Sequence, residues 1–162
     1  METDELNLFI VDDNKTMVYA LKEYLKSRFG GKLKISTFYD GESCLKCINN
    51  TTDVVILDYY LTGKNGNEIL KSIKELNPRT EVIMLSSDEN INTAVDSFRL
   101  GAKNFVVKNS NAWKKISILI ETIVIKPLKY IWEFRVTKFI TIFLATFISM
   151  GLVVMVALQL TS

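Results

Sequence analysis

Leu6-Asn7-Leu8-Phe9-Ile10-Val11-Asp12-Asp13 is a short apolar run that ends in two adjacent carboxylates. Such a run, bounded by polar residues, reads as a buried strand. Working outward, Leu33 to Phe38, Val54 to Leu57, Val82 to Leu85 and Phe105 to Val107 repeat the pattern, and a helix-length amphipathic stretch follows each. These stretches run from Thr16 to Arg28, Glu42 to Ile48, Asn65 to Leu76, Ile91 to Leu100 and Ala112 to Ile125. Gly30-Gly31 should stop the first, Asn77-Pro78 the third and Gly101 the fourth, while Ser110 or Asn111 is placed to cap the fifth. Five β-α units predict an α/β domain, a doubly wound five-stranded parallel sheet covered on both faces. In such sheets the working residues lie beyond the C-terminal ends of the strands.

Those ends carry the chemistry. The first strand runs into Asp12 and Asp13, the third into Asp58, the fourth into Ser86 and Ser87, and the fifth into Lys108. Three carboxylates on one edge repel one another, so a hard divalent cation with oxygen ligands is their natural partner. A carboxylate beside such an ion, with an ammonium and a hydroxyl nearby, is equipped to attack a phosphoryl group.

The second informative stretch is the uncharged run from Phe139 to Leu160. At about 1.5 Å per helical residue it spans roughly 33 Å, enough for one transmembrane helix across a hydrocarbon core of about 30 Å. Lys126, Lys129, Arg135 and Lys138 precede it, so the positive-inside rule keeps the N-terminal domain in the cytoplasm. The Met1-Glu2-Thr3-Asp4-Glu5 start lacks the basic-then-apolar pattern of a secretory signal. The expected layout is a domain over residues 1–125, a basic juxtamembrane linker over 126–138 and a membrane span over 139–160, single-pass in the inner (cytoplasmic) membrane. Thr141, Ala145 and Ser149 recur at four-residue spacing, a stripe of small side chains along which a homodimer would pack. A basic strip beside a membrane reads as lipid contact, and no nucleic-acid-reading module accompanies it. The 162 residues contain 20 Lys and Arg, 18 Asp and Glu and no His, which excludes His-dependent triads, His-ligated zinc and a phosphohistidine on this chain.

With these pieces in order, the chain resembles a response-regulator receiver domain of two-component systems, similar to the single-domain chemotaxis regulators. The resemblance covers about residues 5 to 125. It rests on Phe9-Ile10-Val11-Asp12-Asp13, on Asp58 closing Val54-Val55-Ile56-Leu57, on Gly66, on Met84-Leu85-Ser86-Ser87, and on Gly101-Ala102-Lys103-Asn104-Phe105-Val106-Val107-Lys108. It implies a flavodoxin-like sheet and a phosphoryl group accepted by Asp58 from a histidine kinase or phosphotransfer protein. It further implies Mg²⁺ held by Asp12, Asp13, Asp58 and the backbone carbonyl of Tyr60. Ser86 and Lys108 would contact the phosphoryl oxygens, and Phe105 would change rotamer with Ser86. Tyr60 and Asp88 would line the water path. The expected output is a changed surface read by another protein at the membrane, with no enzymatic activity beyond the domain's own phosphoryl transfer and loss.

Several positions depart from the family pattern. Asn109 replaces the usual cis-proline after the lysine, so that loop should be trans or strained. Thr62 stands where proline is common, Tyr60 is larger than many residues at its place, and Ser87 replaces a smaller residue. A second class of function is a phosphorylation-independent, membrane-tethered scaffold with a receiver-like domain; the intact Asp12, Asp13, Asp58, Ser86 and Lys108 set favours the phosphorylated receiver. A haloacid-dehalogenase-type phosphatase would want a second Asp two residues beyond its nucleophile, whereas Asn14 and Lys15 follow the acidic pair here. Cys44 and Cys47 have no further Cys or His with which to build a zinc site, and they read as small helix residues in a reducing compartment.

Overall fold

The computed structural model describes residues 5–122 and 138–150. In chain order the elements are β1 (Leu6–Val11), α1 (Lys15–Phe29), a 3₁₀ turn (Gly30–Lys32), β2 (Leu33–Phe38), α2 (Gly41–Leu45), β3 (Val54–Asp58), α3 (Gly66–Leu76), β4 (Glu81–Ser86), α4 (Ile91–Arg99), β5 (Asn104–Val107) and α5 (Ala112–Ile120). The strands form one parallel sheet in the order β2-β1-β3-β4-β5. The strand order reverses between β1 and β3, and that switch point opens the crevice where ligands bind in doubly wound folds.

Every residue of β3 is buried, as a central strand covered on both faces requires. Phe9, Val11, Val55, Leu57, Val82 and Met84 pack with Ile69, Leu70 and Ile73 of α3 into one core layer. The alternate strand positions Leu8, Ile10, Ile56, Ile83 and Leu85 are equally buried on the other face, where Val18, Leu21 and Leu25 of α1 and Ile116 and Ile120 of α5 supply the apolar stripes.

Local signals set the helix ends. The Asn14 side chain accepts a bond from Met17 N–H at 3.1 Å and starts α1, and Asn65 does the same for Glu68 at the start of α3. Gly30, at φ +57°, ends α1, and Gly101, at φ +100°, follows α4. The second helix is shorter than the expected Glu42–Ile48 and stops at Leu45. The Asn49-to-Thr52 segment forms its own network there: the Asn49 side chain accepts from Thr51 N–H at 2.9 Å, and the Thr52 hydroxyl accepts from Asn49 N–H at 3.2 Å. Such side-chain bonds compete with helical ones and unwind the expected last turn. Cys47 consequently sits exposed beyond α2, while Cys44 is buried in it and burial pushes its thiol up to about 12.

The fifth helix is regular to Ile120 and widens to a π turn at 121–122; the expected continuation to Ile125 lies outside the described residues. Residues 138–150 are helical and belong to a second compact unit, Glu121–Ser162, distinct from Met1–Ile120. Among the described residues no helix is long and apolar enough to cross a membrane. The described helix falls short of the roughly 20 residues a crossing takes, and the rest of the expected 139–160 span, with linker residues 126–137, lies outside the described residues.

Candidate functional site

Asp12 is the first residue after β1, and its backbone N–H bonds the Phe38 carbonyl at 3.2 Å, which ties the acidic pair to the end of β2. Asp58 is the last residue of β3, and Ser86 the last of β4. Lys108 follows β5, and its backbone N–H bonds the Ser86 carbonyl at 2.7 Å. Adjacent parallel strands therefore end at one level and deliver their terminal side chains to one crevice.

Gly66 shapes the far wall. A Cβ at this position would lie 2.5 Å from the Asp58 carbonyl oxygen and 2.7 Å from Tyr59 Cα, so only glycine lets α3 begin this close to the end of β3. Its N–H bonds the Tyr59 carbonyl at 2.8 Å and closes the loop.

At the centre, the Lys108 ammonium lies 2.8 Å from Asp12 Oδ2 and 2.9 Å from Asp58 Oδ2. Asp12 is 2% exposed and Asp58 3%, which makes this a charge cluster taken largely out of water. Burial holds the Asp58 carboxyl above its ordinary range, against the pull of the Lys108 hydrogen bond, and the neighbouring charge of Asp12 adds to the rise. Burial alone would lower the Lys108 ammonium, but its bonds to Asp12 and Asp58 outweigh that and keep it raised.

The remaining oxygens define what the crevice accepts. Asp12 Oδ1 receives the Asn14 N–H at 2.9 Å, and Asp13 Oδ2 receives the Thr62 hydroxyl at 2.6 Å. Asp58 Oδ1 is buried with no hydrogen-bond partner among the described residues. Asp12, Asp13 and Asp58 each offer an oxygen within 4.8 Å of the others. Three carboxylates against one ammonium, all-oxygen donors and one unsatisfied buried oxygen fit a hard divalent cation.

The other expected residues fall around this centre. Ser86 is fully buried, and its Oγ accepts the Asp88 N–H at 3.0 Å. The Tyr60 hydroxyl donates to Asp88 Oδ2 at 3.2 Å, and Thr93 Oγ1 donates to the same oxygen at 3.4 Å. Partial loss of water around the exposed phenol, and then its hydrogen bond to Asp88, hold the Tyr60 hydroxyl above its usual range. Phe105 is half-buried and packs against the β-α3 core layer, and Ser87 is exposed. The Lys108–Asn109 peptide is trans, which resolves the alternative posed by the missing proline. Three features lie beyond the sequence-based expectations: the Thr62–Asp13 bond, the direct Tyr60–Asp88 pairing, and a cavity of about 310 Å³ lined by Met17, Lys108, Asn109, Ser110 and Trp113. Thr62 in place of a proline was the one available signal for the first.

A 2-1-3-4-5 parallel sheet whose switch-point edge gathers three carboxylates, a lysine and a buried serine defines a phosphoacceptor class of α/β domain. Residues 8–119 match the family described as Response regulator receiver domain, and the chain belongs to that family. It is 28% identical over 102 residues to NtrC of Escherichia coli K12, a DNA-binding transcriptional regulator; the match covers 62% of this chain and 21% of that protein. The chain thus spans about a fifth of that relative's length. The BeF₃-activated receiver domain of DrrB from Thermotoga maritima is 28% identical with a TM-score of 0.65, over 73% of this chain and 96% of that one. CheY of Borrelia burgdorferi, in its complex with CheX, BeF₃ and Mg²⁺, is also 28% identical with a TM-score of 0.65, over 74% and 90% of the two chains.

Proposed function

We propose that the chain is a membrane-anchored response regulator in which Asp58 accepts a phosphoryl group from a partner histidine kinase or phosphotransfer protein. The observation that carries this reading is the Lys108 bridge between two buried carboxylates, one of which keeps an oxygen with no hydrogen-bond partner among the described residues. An Asp58 oxygen bonds to phosphorus as the donor's P–N bond breaks, and the electron pair of that bond leaves with the imidazole. Lys108 exchanges its contact with Asp58 for the phosphoryl oxygens, and the Ser86 hydroxyl turns from the Asp88 N–H to donate to another. Asp12, Asp13 and Asp58, with the Tyr60 carbonyl, would hold Mg²⁺, which when bound neutralises charge on the transferring group. Movement of Ser86 frees Phe105 to change rotamer and shifts the surface around α4 toward the form an output protein reads. Tyr60 and Asp88, hydrogen-bonded across the mouth of the crevice, restrict the water that would hydrolyse the acyl phosphate. The domain thus catalyses only its own phosphoryl transfer and loss.

The uncharged run from Phe139 to Leu160, preceded by Lys126, Lys129, Arg135 and Lys138, supports a single-pass anchor with the receiver in the cytoplasm and contact with the lipid bilayer. Incubating the full chain with acetyl phosphate and Mg²⁺ tests the phosphoacceptor. A base-labile phosphoryl group is expected on wild type and none on Asp58→Asn, whereas equal labelling of the two proteins would overturn the assignment.

A further inference from the structure

We propose that Thr62 is a positioning residue for the divalent cation, holding the Asp13 carboxylate in its ligating arrangement and fastening together the two loops that carry cation ligands. The inference rests on the reading of Asp12, Asp13 and Asp58 as those ligands. Asp12 and Asp58 are buried and share the Lys108 ammonium. Asp13 is exposed, and among the described residues the Thr62 hydroxyl is the side chain hydrogen-bonded to it. An exposed aspartate samples several rotamers, and an ion that must choose one bears the entropic cost of freezing it. The 2.6 Å bond holds Asp13 Oδ2 and so restricts the rotamers open to the carboxylate before the ion arrives.

The bond also reaches across 49 positions of sequence, from the β3–α3 loop to the β1–α1 loop. Tyr60, whose carbonyl completes the proposed ligand set, stands on the same β3–α3 loop, so one hydroxyl sets the spacing between two sources of ligand oxygen. Proline, common at this place in the family, has no hydroxyl and cannot form the bond. Partners that orient a metal-binding carboxylate typically change affinity by about ten- to a hundredfold, and the exposure of Asp13 lowers the expectation here.

The test is titration of the full chain in detergent with MgCl₂, followed by calorimetry. Thr62→Val keeps the shape and removes the donor, and Mg²⁺ affinity is expected to fall about three- to tenfold. Thr62→Ser should restore it and Thr62→Pro should resemble the valine variant. Labelling by acetyl phosphate should return to the wild-type level in Thr62→Val at saturating Mg²⁺. The melting temperature in EDTA should not move, which separates positioning from a general loss of stability. In an Asp13→Ala background, Thr62→Val should have no further effect. Unchanged Mg²⁺ affinity in Thr62→Val, or an equal loss with and without Asp13, would overturn the proposal. If the valine variant fails to fold, Thr62→Ala carries the same comparison. A wild-type chain that binds no Mg²⁺ would overturn the proposal together with the reading of the ligand set on which it rests.

Discussion

The sheet and the C-terminal helical stretch use the same side chains in opposite surroundings. Leu8, Val55, Leu57, Ile69 and Ile83 are removed from water by neighbours drawn from the length of the domain, whereas Phe139, Phe143 and Phe147 are 67–74% exposed and residues 138–150 are exposed throughout. The helical stretch from Phe139 to Met150 carries no charged side chain and so has no charged face to present.

That contrast is broken most completely by cutting the chain. Without residues 127–162, the receiver should become a soluble protein that still labels at Asp58, while the full chain stays with membranes through an alkaline carbonate wash. Full-length protein in the soluble fraction would overturn the anchor and make the tail an oligomer-packing helix, and a truncated receiver that unfolds would mean that the tail helix belongs to the domain core.

Core and tail truncations sharpen the same contrast by a few kcal/mol. Leu57→Ala should destabilise the receiver by about 2–5 kcal/mol in denaturant melts, because it opens a cavity between β3 and the helices. Phe143→Ala should change receiver stability by less than about 0.5 kcal/mol. A comparable loss from both would show the tail to be part of the folding unit.

Gly66→Ala acts at the hinge of the site. The new methyl would meet the Asp58 carbonyl and Tyr59, so a loss of about 1–3 kcal/mol is expected, along with slower labelling as the β3–α3 loop shifts.

The smallest expected effect is a pH-dependent one. Asp58 has a raised pKa in the folded state, so its contribution favours folding fully below the unfolded carboxylate value and is lost as pH rises through the folded one. In EDTA at neutral pH, Asp58→Asn should therefore melt higher than wild type, with the gap closing toward acid. Added Mg²⁺ should also close it, by stabilising wild type alone. A wild type more stable than Asp58→Asn in EDTA would show that the Lys108 pairing outweighs burial.

Much of this was legible from strand ends. Leu6–Val11 and Leu33–Phe38 begin and end where the expected runs do, and the unbroken apolar run from Val54 to Leu57 marks the central strand, which is covered on both faces. Asp12, Asp58, Ser86 and Lys108 were legible for the same reason: each is a polar residue that abruptly ends such a run. The end of α2 was misread because Asn49, Thr51 and Thr52 form local side-chain bonds that apolar periodicity does not report. Thr62–Asp13 and Tyr60–Asp88 were invisible as pairs, because they join loops whose meeting depends on the finished sheet.

The Lys108–Asp12 contact joins residues 96 positions apart, and its consequence is one of timing. A ribosome adding about 5–20 residues per second takes roughly 5 to 20 s to go from one to the other. For that interval Asp12 and Asp13, joined partway through by Asp58, are without the last strand and without the Lys108 ammonium that offsets their charge. The charge cluster is therefore completed only when the closing strand is in place.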